Sequence, residues 1–182
     1  RACKDVSELI DAFLILGREP ALLDETRAVD VAEVAESELA KLSTLLEQQP
    51  VELQIERQAS LRVPVNRKVF EIIIGNLCRN AIKYTGSGVI RVVVMHDGLR
   101  VEDAGPGIDE ELIPHLFERH VRGRGLQQAG EGIGLNIVKR LCELYHWEIG
   151  IANRPEGGVV VCLKIPATAR QPGQQGSGTA GR

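Results

Sequence analysis

The 182-residue sequence lacks long apolar runs, a large excess of either charge and paired-cysteine motifs, and each absence removes a class of function. Its apolar stretches reach only a few residues, so nothing in it reads as a bilayer-spanning helix, and no signal-peptide pattern is present. The formal net charge of −3 gives no broad electrostatic reason to expect a nucleic-acid or anionic-membrane partner. The four cysteines (Cys3, Cys78, Cys142 and Cys162) show no C-x-x-C spacing. Three of them sit inside apolar segments and read as buried free thiols, which makes a reducing, cytoplasmic setting the default. With 43% hydrophobic and 26% charged residues, the composition suits one globular domain plus an extra segment. The chain opens on Arg1 with residues that read as mid-helix, so it is expected to be a fragment of a longer protein.

Along the chain, "KDVSELIDAFLIL" (4–16) places Val6, Leu9, Ile10, Phe13 and Leu14 on one stripe, the pattern of an amphipathic helix. Gly17 and Pro20 end it, and a connector with one short strand follows. Asp30 is suited to cap a second helix over 31–48, which Pro50 closes. "VELQIE" (51–56) alternates like a half-buried strand, and "LRVPV" (61–65) reads as another short one. Asn66 then caps a long helix. "VIRVVVM" (89–95) and "LRVED" (99–103) flank His96-Asp97-Gly98, where Asp-Gly signals a hairpin. A glycine-rich loop (104–108), a short helix around 109–117 and a polar stretch come next. A third long helix (135–146) precedes two strands, "EIGIAN" and "VVVCLKIP", and residues 167–182 have the composition of a disordered tail. Helices and strands mix without regular βαβ alternation. That predicts an α/β sandwich, with three main helices on one face of a mixed, largely antiparallel sheet.

The long helix carries "NLCRNAIKYT" (76–85). At about 100° per residue, Phe70, Ile73, Ile74, Leu77, Ala81 and Tyr84 form one broad stripe facing the core. Asn76, Asn80 and Lys83 form a second stripe about a third of a turn away. A solvated polar face accounts for any one of them, but less well for amides at an i, i+4 interval followed by an ammonium. The alternative is a nucleotide site: an amide oxygen can ligate magnesium without adding charge, and a lysine one turn on can neutralise phosphate.

Two glycine clusters and a basic loop bear on that choice. In "EDAGPGI" (102–108), Gly105 and Gly107 permit close backbone approach. Asp103 is an acceptor-only carboxylate suited to the exocyclic amine of adenine, or simply a turn aspartate. "GEGIGL" (130–135) leaves backbone N–H groups free to meet an anion at a helix N-terminus. It matches neither the P-loop, since no G-K-[ST] follows, nor the dinucleotide fingerprint. Between them, "FERHVRGRGLQQAGEG" (117–132) is basic and glycine-rich, fit either for an exposed loop or for a lid over phosphates.

In order, N-L-x-x-N-A-x-K-Y-T, D-x-G-x-G-I, L-F-E-R-x-x-R and G-x-G-I-G-L resemble the asparagine, first glycine, phenylalanine and second glycine boxes of sensor histidine kinases. The resemblance runs from about Asn66 to Pro166. It implies the Bergerat-type ATP-binding fold shared with gyrase, the heat-shock chaperones and the mismatch-repair ATPases. Residues 27–166 would be the catalytic domain, 1–17 the end of the second dimerisation and phosphotransfer helix, and 18–26 a linker. Asn80 would ligate magnesium with Asn76 beside it, while Lys83 and Tyr84 would contact phosphate and the nucleotide's edge. Asp103 would bind the adenine amine, and Gly105, Gly107 and Ile108 would shape the base pocket. Phe117 would anchor the lid, Arg122 would approach the phosphates, and Gly130, Gly132, Gly134 and Leu135 would cradle them. ATP and Mg2+ are thus the implied cofactors, and Asn80, Lys83 and Arg122 the residues nearest the chemistry. A third glycine box is imperfect, with Val159 where threonine is usual.

Superfamily members that hydrolyse ATP carry a glutamate one turn before the magnesium asparagine, as general base. Here that position is Asn76, and Glu71 faces elsewhere, a pattern that also disfavours the serine-kinase branch. No phosphoacceptor motif is present, since His96, His115, His120 and His146 all fall in the ATP-binding half. The resemblance therefore implies the ATP-binding portion of a histidine kinase without its acceptor histidine. The alternatives are a nucleotide-binding regulatory module that transfers nothing, or a superfamily ATPase. The implied partners are a response-regulator receiver domain and a second copy, through helices mostly absent here. Any membrane anchor would lie upstream, with this domain in the cytoplasm.

Overall fold

A computed structural model describes residues 28–44, 46, 49–117 and 133–170. The expected helix over 4–16, the 1–17 and 18–26 segments and residues 171–182 lie outside the described residues.

Strand β1 (Ala28–Asp30) leads directly into helix α1 (Val31–Ser43). Asp30 caps it as expected, its Oδ1 accepting from the Ala32 and Glu33 amides at 3.0 and 3.3 Å. The helix stops five residues short of the expected 48. Ser43 and Thr44 turn their hydroxyls onto the carbonyls of Ala40 and Lys41, an alternative to continued helical bonding. Strands β2 (Val51–Arg57) and β3 (Arg62–Pro64) follow, then α2 (Arg67–Tyr84), capped by the Asn66 side chain on the Lys68 amide at 2.8 Å.

Strands β4 (Gly88–Met95) and β5 (Gly98–Glu102) form the expected hairpin, with its turn shifted by one residue. Gly98 pairs with Met95, leaving His96 and Asp97 as the loop. A Cβ on Gly98 would lie 1.9 Å from the Leu163 carbonyl oxygen, so glycine is there for close packing against the neighbouring strand. The turn is tied down from the far end of the chain: Asp97 O accepts from the Ile165 amide (2.8 Å), and His96 O from Arg170 (2.7 Å).

The short helix expected at 109–117 is a single 3-10 turn, Ile113–His115. Pro114 lacks the N–H that an α-helical bond would need there. Helix α3 spans Ile133–Leu144, starting and ending two residues earlier than expected. Its end is a Schellman motif, with His146 left-handed (φ 56°), its amide on Glu143 O and the Trp147 amide on Cys142 O at 2.7 Å. Strands β6 (Glu148–Asn153) and β7 (Val159–Lys164) complete the main sheet. A 3-10 turn at Ala167–Ala169 begins the segment expected to be disordered.

The five-stranded sheet runs β2-β4-β5-β7-β6, parallel between β2 and β4 and antiparallel elsewhere; β1 and β3 pair separately. This is the mixed, largely antiparallel sandwich read from the sequence. Ile90, Val92, Val94, Leu99, Val101, Val161 and Leu163 project from one sheet face into the core. Helix α2 packs between α1 and α3. Phe70 stacks on Trp147 with ring centroids 5.2 Å apart. The buried face of α2 is wider than one stripe, taking in Val69, Ile72 and Cys78, because flanking helices cover its sides. Tyr84, assigned to the core stripe from periodicity, is 39% exposed: it belongs to the last turn, where the helix ends and the core beside it stops. Cys78 and Cys142 are buried free thiols, pushed up to about 12 by burial, whereas Cys162 on the opposite sheet face is half-buried.

Gly98→Ala forces a methyl into the Leu163 carbonyl. It should lower stability by about 1–3 kcal/mol in urea unfolding, as overpacking does.

Candidate nucleotide site

The polar face of α2 meets the first turn of α3 at one point. Asn76 is buried, its Nδ2 donating to the Ile72 carbonyl one turn back at 2.8 Å. Its Oδ1 faces Gly134: a Cβ built there would stand 2.7 Å from that oxygen. The missing side chain is what lets α3 begin against the asparagine. The result brings a helix N-terminus, whose first N–H groups have no partner within the helix and whose partial charge favours anions, to the amide-bearing side of α2. Leu135, in the same turn, packs on the core.

One turn beyond Asn76 stands Asn80, half-buried, with no hydrogen bond from its carboxamide among the described residues. Lys83 follows, its Nζ 5.1 Å from the centre of the Tyr84 ring. Asn76 and Asn80 thus differ in role despite their shared face. Asn76 joins helices and has its amide engaged; Asn80 keeps an oxygen available for a ligand.

On the other side lies the loop after β5. Asp103 is buried, and its Oδ1 accepts from the Gly105 and Val159 amides at 2.8 and 3.1 Å. Its Oδ2 has no partner among the described residues. Gly105 brings this loop to the end of α2: a Cβ there would be 3.1 Å from the Tyr84 carbonyl oxygen. Gly107 has φ 83°, and Ile108 is held through its backbone by Asn153. Phe117 closes this side, its carbonyl accepting from Asn136 of α3 (3.2 Å) and its ring 5.6 Å from the Lys139 ammonium. Arg122, Gly130 and Gly132 lie outside the described residues.

The structure gathers Asn76, Asn80, Lys83, Tyr84, Asp103, Gly105 and Gly134 around the C-terminal half of α2. Two further side chains at the site escaped the sequence reading. Asn153 grips Ile108, and Arg154 donates to the Asp103 carbonyl at 2.8 Å. Asn153 ends β6 and Arg154 follows it, and their proximity to 103–108 comes from sheet pairing alone.

Residues 66–169, more than half the chain, match the family described as histidine kinase-, DNA gyrase B- and HSP90-like ATPases. The chain belongs to this family. Signal transduction histidine-protein kinase AfsQ2 of Streptomyces coelicolor is 35% identical over 133 residues, 70% of this chain and 24% of that protein. Sensor protein kinase PmrB of Pseudomonas aeruginosa is 33% identical over 177 residues, 92% of this chain and 37% of its own length. The chain thus spans roughly a quarter to a third of these two curated relatives. The nucleotide-free catalytic domain of histidine kinase ThkA matches with TM-score 0.63 and 25% identity, over 77% of this chain and 95% of that one.

Gly134→Ala should separate α3 from Asn76 and weaken ATP binding by about tenfold or ~1.4 kcal/mol in a calorimetric titration. Gly150→Ala should leave it unchanged, since a Cβ there meets nothing within 4 Å.

Proposed function

We propose that the chain is the ATP-binding catalytic portion of a sensor histidine kinase. It holds Mg-ATP so that the γ-phosphoryl passes to a histidine on another segment, and from there to a response-regulator aspartate. The observation that carries this reading is the state of Asp103. With Oδ1 occupied by two backbone amides, Oδ2 remains as a fixed acceptor, complementary to the amino group of adenine and repelled by the carbonyl of guanine.

The residues also fit a magnesium ion. Asn80 offers a neutral oxygen without a competing partner among the described residues, and no cluster of three or more His, Cys, Asp or Glu there provides another metal cage. A single protein ligand completed by waters and phosphate oxygens suits magnesium. The ion, when bound, neutralises charge on the triphosphate. The chain's own contribution is positional: Asn80 and Lys83 orient the phosphates from α2, and the α3 N-terminus receives them. Arg122 is proposed to approach the transferring group from the 118–132 segment, which the resemblance likens to a lid.

What the site lacks also directs the chemistry. A water-activating base would stand at position 76, but Asn76 is a buried amide already bonded to Ile72. Glu71 is drawn to Arg67 at 3.1 Å and to Lys68 at 3.7 Å at the start of α2. Neither can take a proton from water at the γ-phosphate, so ATP should persist until an external nucleophile arrives. An imidazole suits this arrangement because it is a nucleophile without prior deprotonation. In the complete protein we propose dimerisation through upstream helices and anchoring in the inner membrane, with this domain on the cytoplasmic side. Among the described residues no helix is long and apolar enough to cross a membrane.

Asp103→Asn turns a donor toward the adenine amine. It should cost roughly 1.5–3 kcal/mol of ATP binding, the scale of a hydrogen bond to a charged group. Wild-type affinity in that variant would remove Asp103 from the pocket. Mixing the chain with a separate fragment bearing an acceptor histidine and γ-labelled ATP should label the histidine. Asn80→Ala should abolish that label, and ATP binding without transfer by the unaltered chain would instead favour a regulatory module.

A further inference from the structure

The loop 103–108 bears the base-reading carboxylate, yet it has no regular secondary structure and contains two glycines and Pro106. Such a segment has large conformational entropy to lose, so its shape depends on external anchors. Both of its ends are held by one short stretch, the end of β6 and the turn into β7. At Ile108, the Asn153 carboxamide accepts from the backbone N–H at 2.8 Å and donates to the backbone carbonyl at 2.7 Å. One side chain thereby does what a strand partner would do. At Asp103, Arg154 donates to the backbone carbonyl at 2.8 Å, while the Val159 amide and carbonyl engage the carboxylate and the backbone N–H. Gly158 lies so close that a Cβ would stand 2.0 Å from the Asp103 carbonyl oxygen. The Arg154 guanidinium is aimed in turn by Glu156 at 3.0 Å and Glu102 at 3.9 Å.

We infer that Asn153 and Arg154 are positioning residues for base recognition: they set the direction of the Asp103 carboxylate and the spacing of the loop that covers the base. The inference rests on the nucleotide-site reading above. Their action is indirect, through backbone held on the far side of the loop from α2, so they should govern the choice of base and leave the phosphate end alone. Carboxylate direction decides whether Oδ2 meets an amine in line, and hydrogen-bond strength falls steeply with misalignment. Both side chains border an open cleft of about 290 Å³ together with Pro106, Gly107 and Asp109, so truncating them admits water and leaves no sealed void.

The test titrates the 182-residue chain and its Asn153→Ala and Arg154→Ala variants with Mg-ATP, Mg-GTP and Mg-tripolyphosphate, alongside urea unfolding. Each variant should lose about tenfold in ATP affinity, as removal of one or two backbone anchors allows. The ratio of ATP to GTP affinity should shrink, and tripolyphosphate binding should stay constant. Arg154→Lys, able to reach one carbonyl, should recover part of the loss. Asn153→Asp keeps the acceptor but sets an oxygen against the Ile108 carbonyl, and should be no better than alanine. A folded Asn153→Ala chain with unchanged ATP affinity and base preference overturns the inference. So does an equal loss of ATP and tripolyphosphate, which signals general damage. Should alanine at 153 prevent folding, Asn153→Ser supplies the same comparison. Asp103→Asn is measured in parallel: if it has no effect, the pocket itself is misassigned, whereas an effect there with none at 153 and 154 rejects only the positioning role.

Discussion

Burial of α2 between the sheet and helices α1 and α3 sets where every polar group of the site can stand. Toward its C-terminal end the helix keeps one side for the polar groups of the site, and there Asn76, Asn80 and Lys83 stand. The cover also has to begin somewhere, and the first turn of α3 sets Gly134 against the Asn76 oxygen. That contact fixes the distance between the amide face and the helix N-terminus. It also explains why the Asn76 oxygen is packed against α3 while Asn80 stands one turn farther, past the contact.

The same logic governs the opposite wall. Strand β5 ends at Glu102, and the next residue already belongs to the pocket. Its carboxylate is held by the strand beside it, through Val159, and its backbone carbonyl by Arg154, just past the end of β6. Sheet register therefore controls site geometry: a slip of β7 against β5 would turn the Val159 amide away from Asp103. Substitutions in the β6–β7 turn can thus act on nucleotide recognition without touching nucleotide.

The separation of roles within one helix has a chemical consequence. An acid at position 76 would place a proton acceptor beside the triphosphate; an amide bonded to its own helix cannot serve. On the proposed reading such a site would retain and align ATP for a nucleophile supplied from elsewhere.

Periodicity, capping and turn residues determined the elements: Asp30 and Asn66 fixed where α1 and α2 start, alternation located β2, and β-rich runs flanking Asp97-Gly98 located β4 and β5. Helical period placed Asn76, Asn80 and Lys83 on one face of α2, and only the resemblance of the motifs implied that Asp103 and Gly134 share their site. Tertiary structure decided what local period cannot encode. Tyr84 follows the core stripe but emerges where the core beside it ends. Gly98 serves the neighbouring strand rather than the centre of its turn. Asn76 and Asn80, identical in type and face, part company because one meets Gly134. Asn153 and Arg154 join the site across some fifty residues of chain through pairing of β5, β7 and β6, a contact between distant segments that no local pattern records.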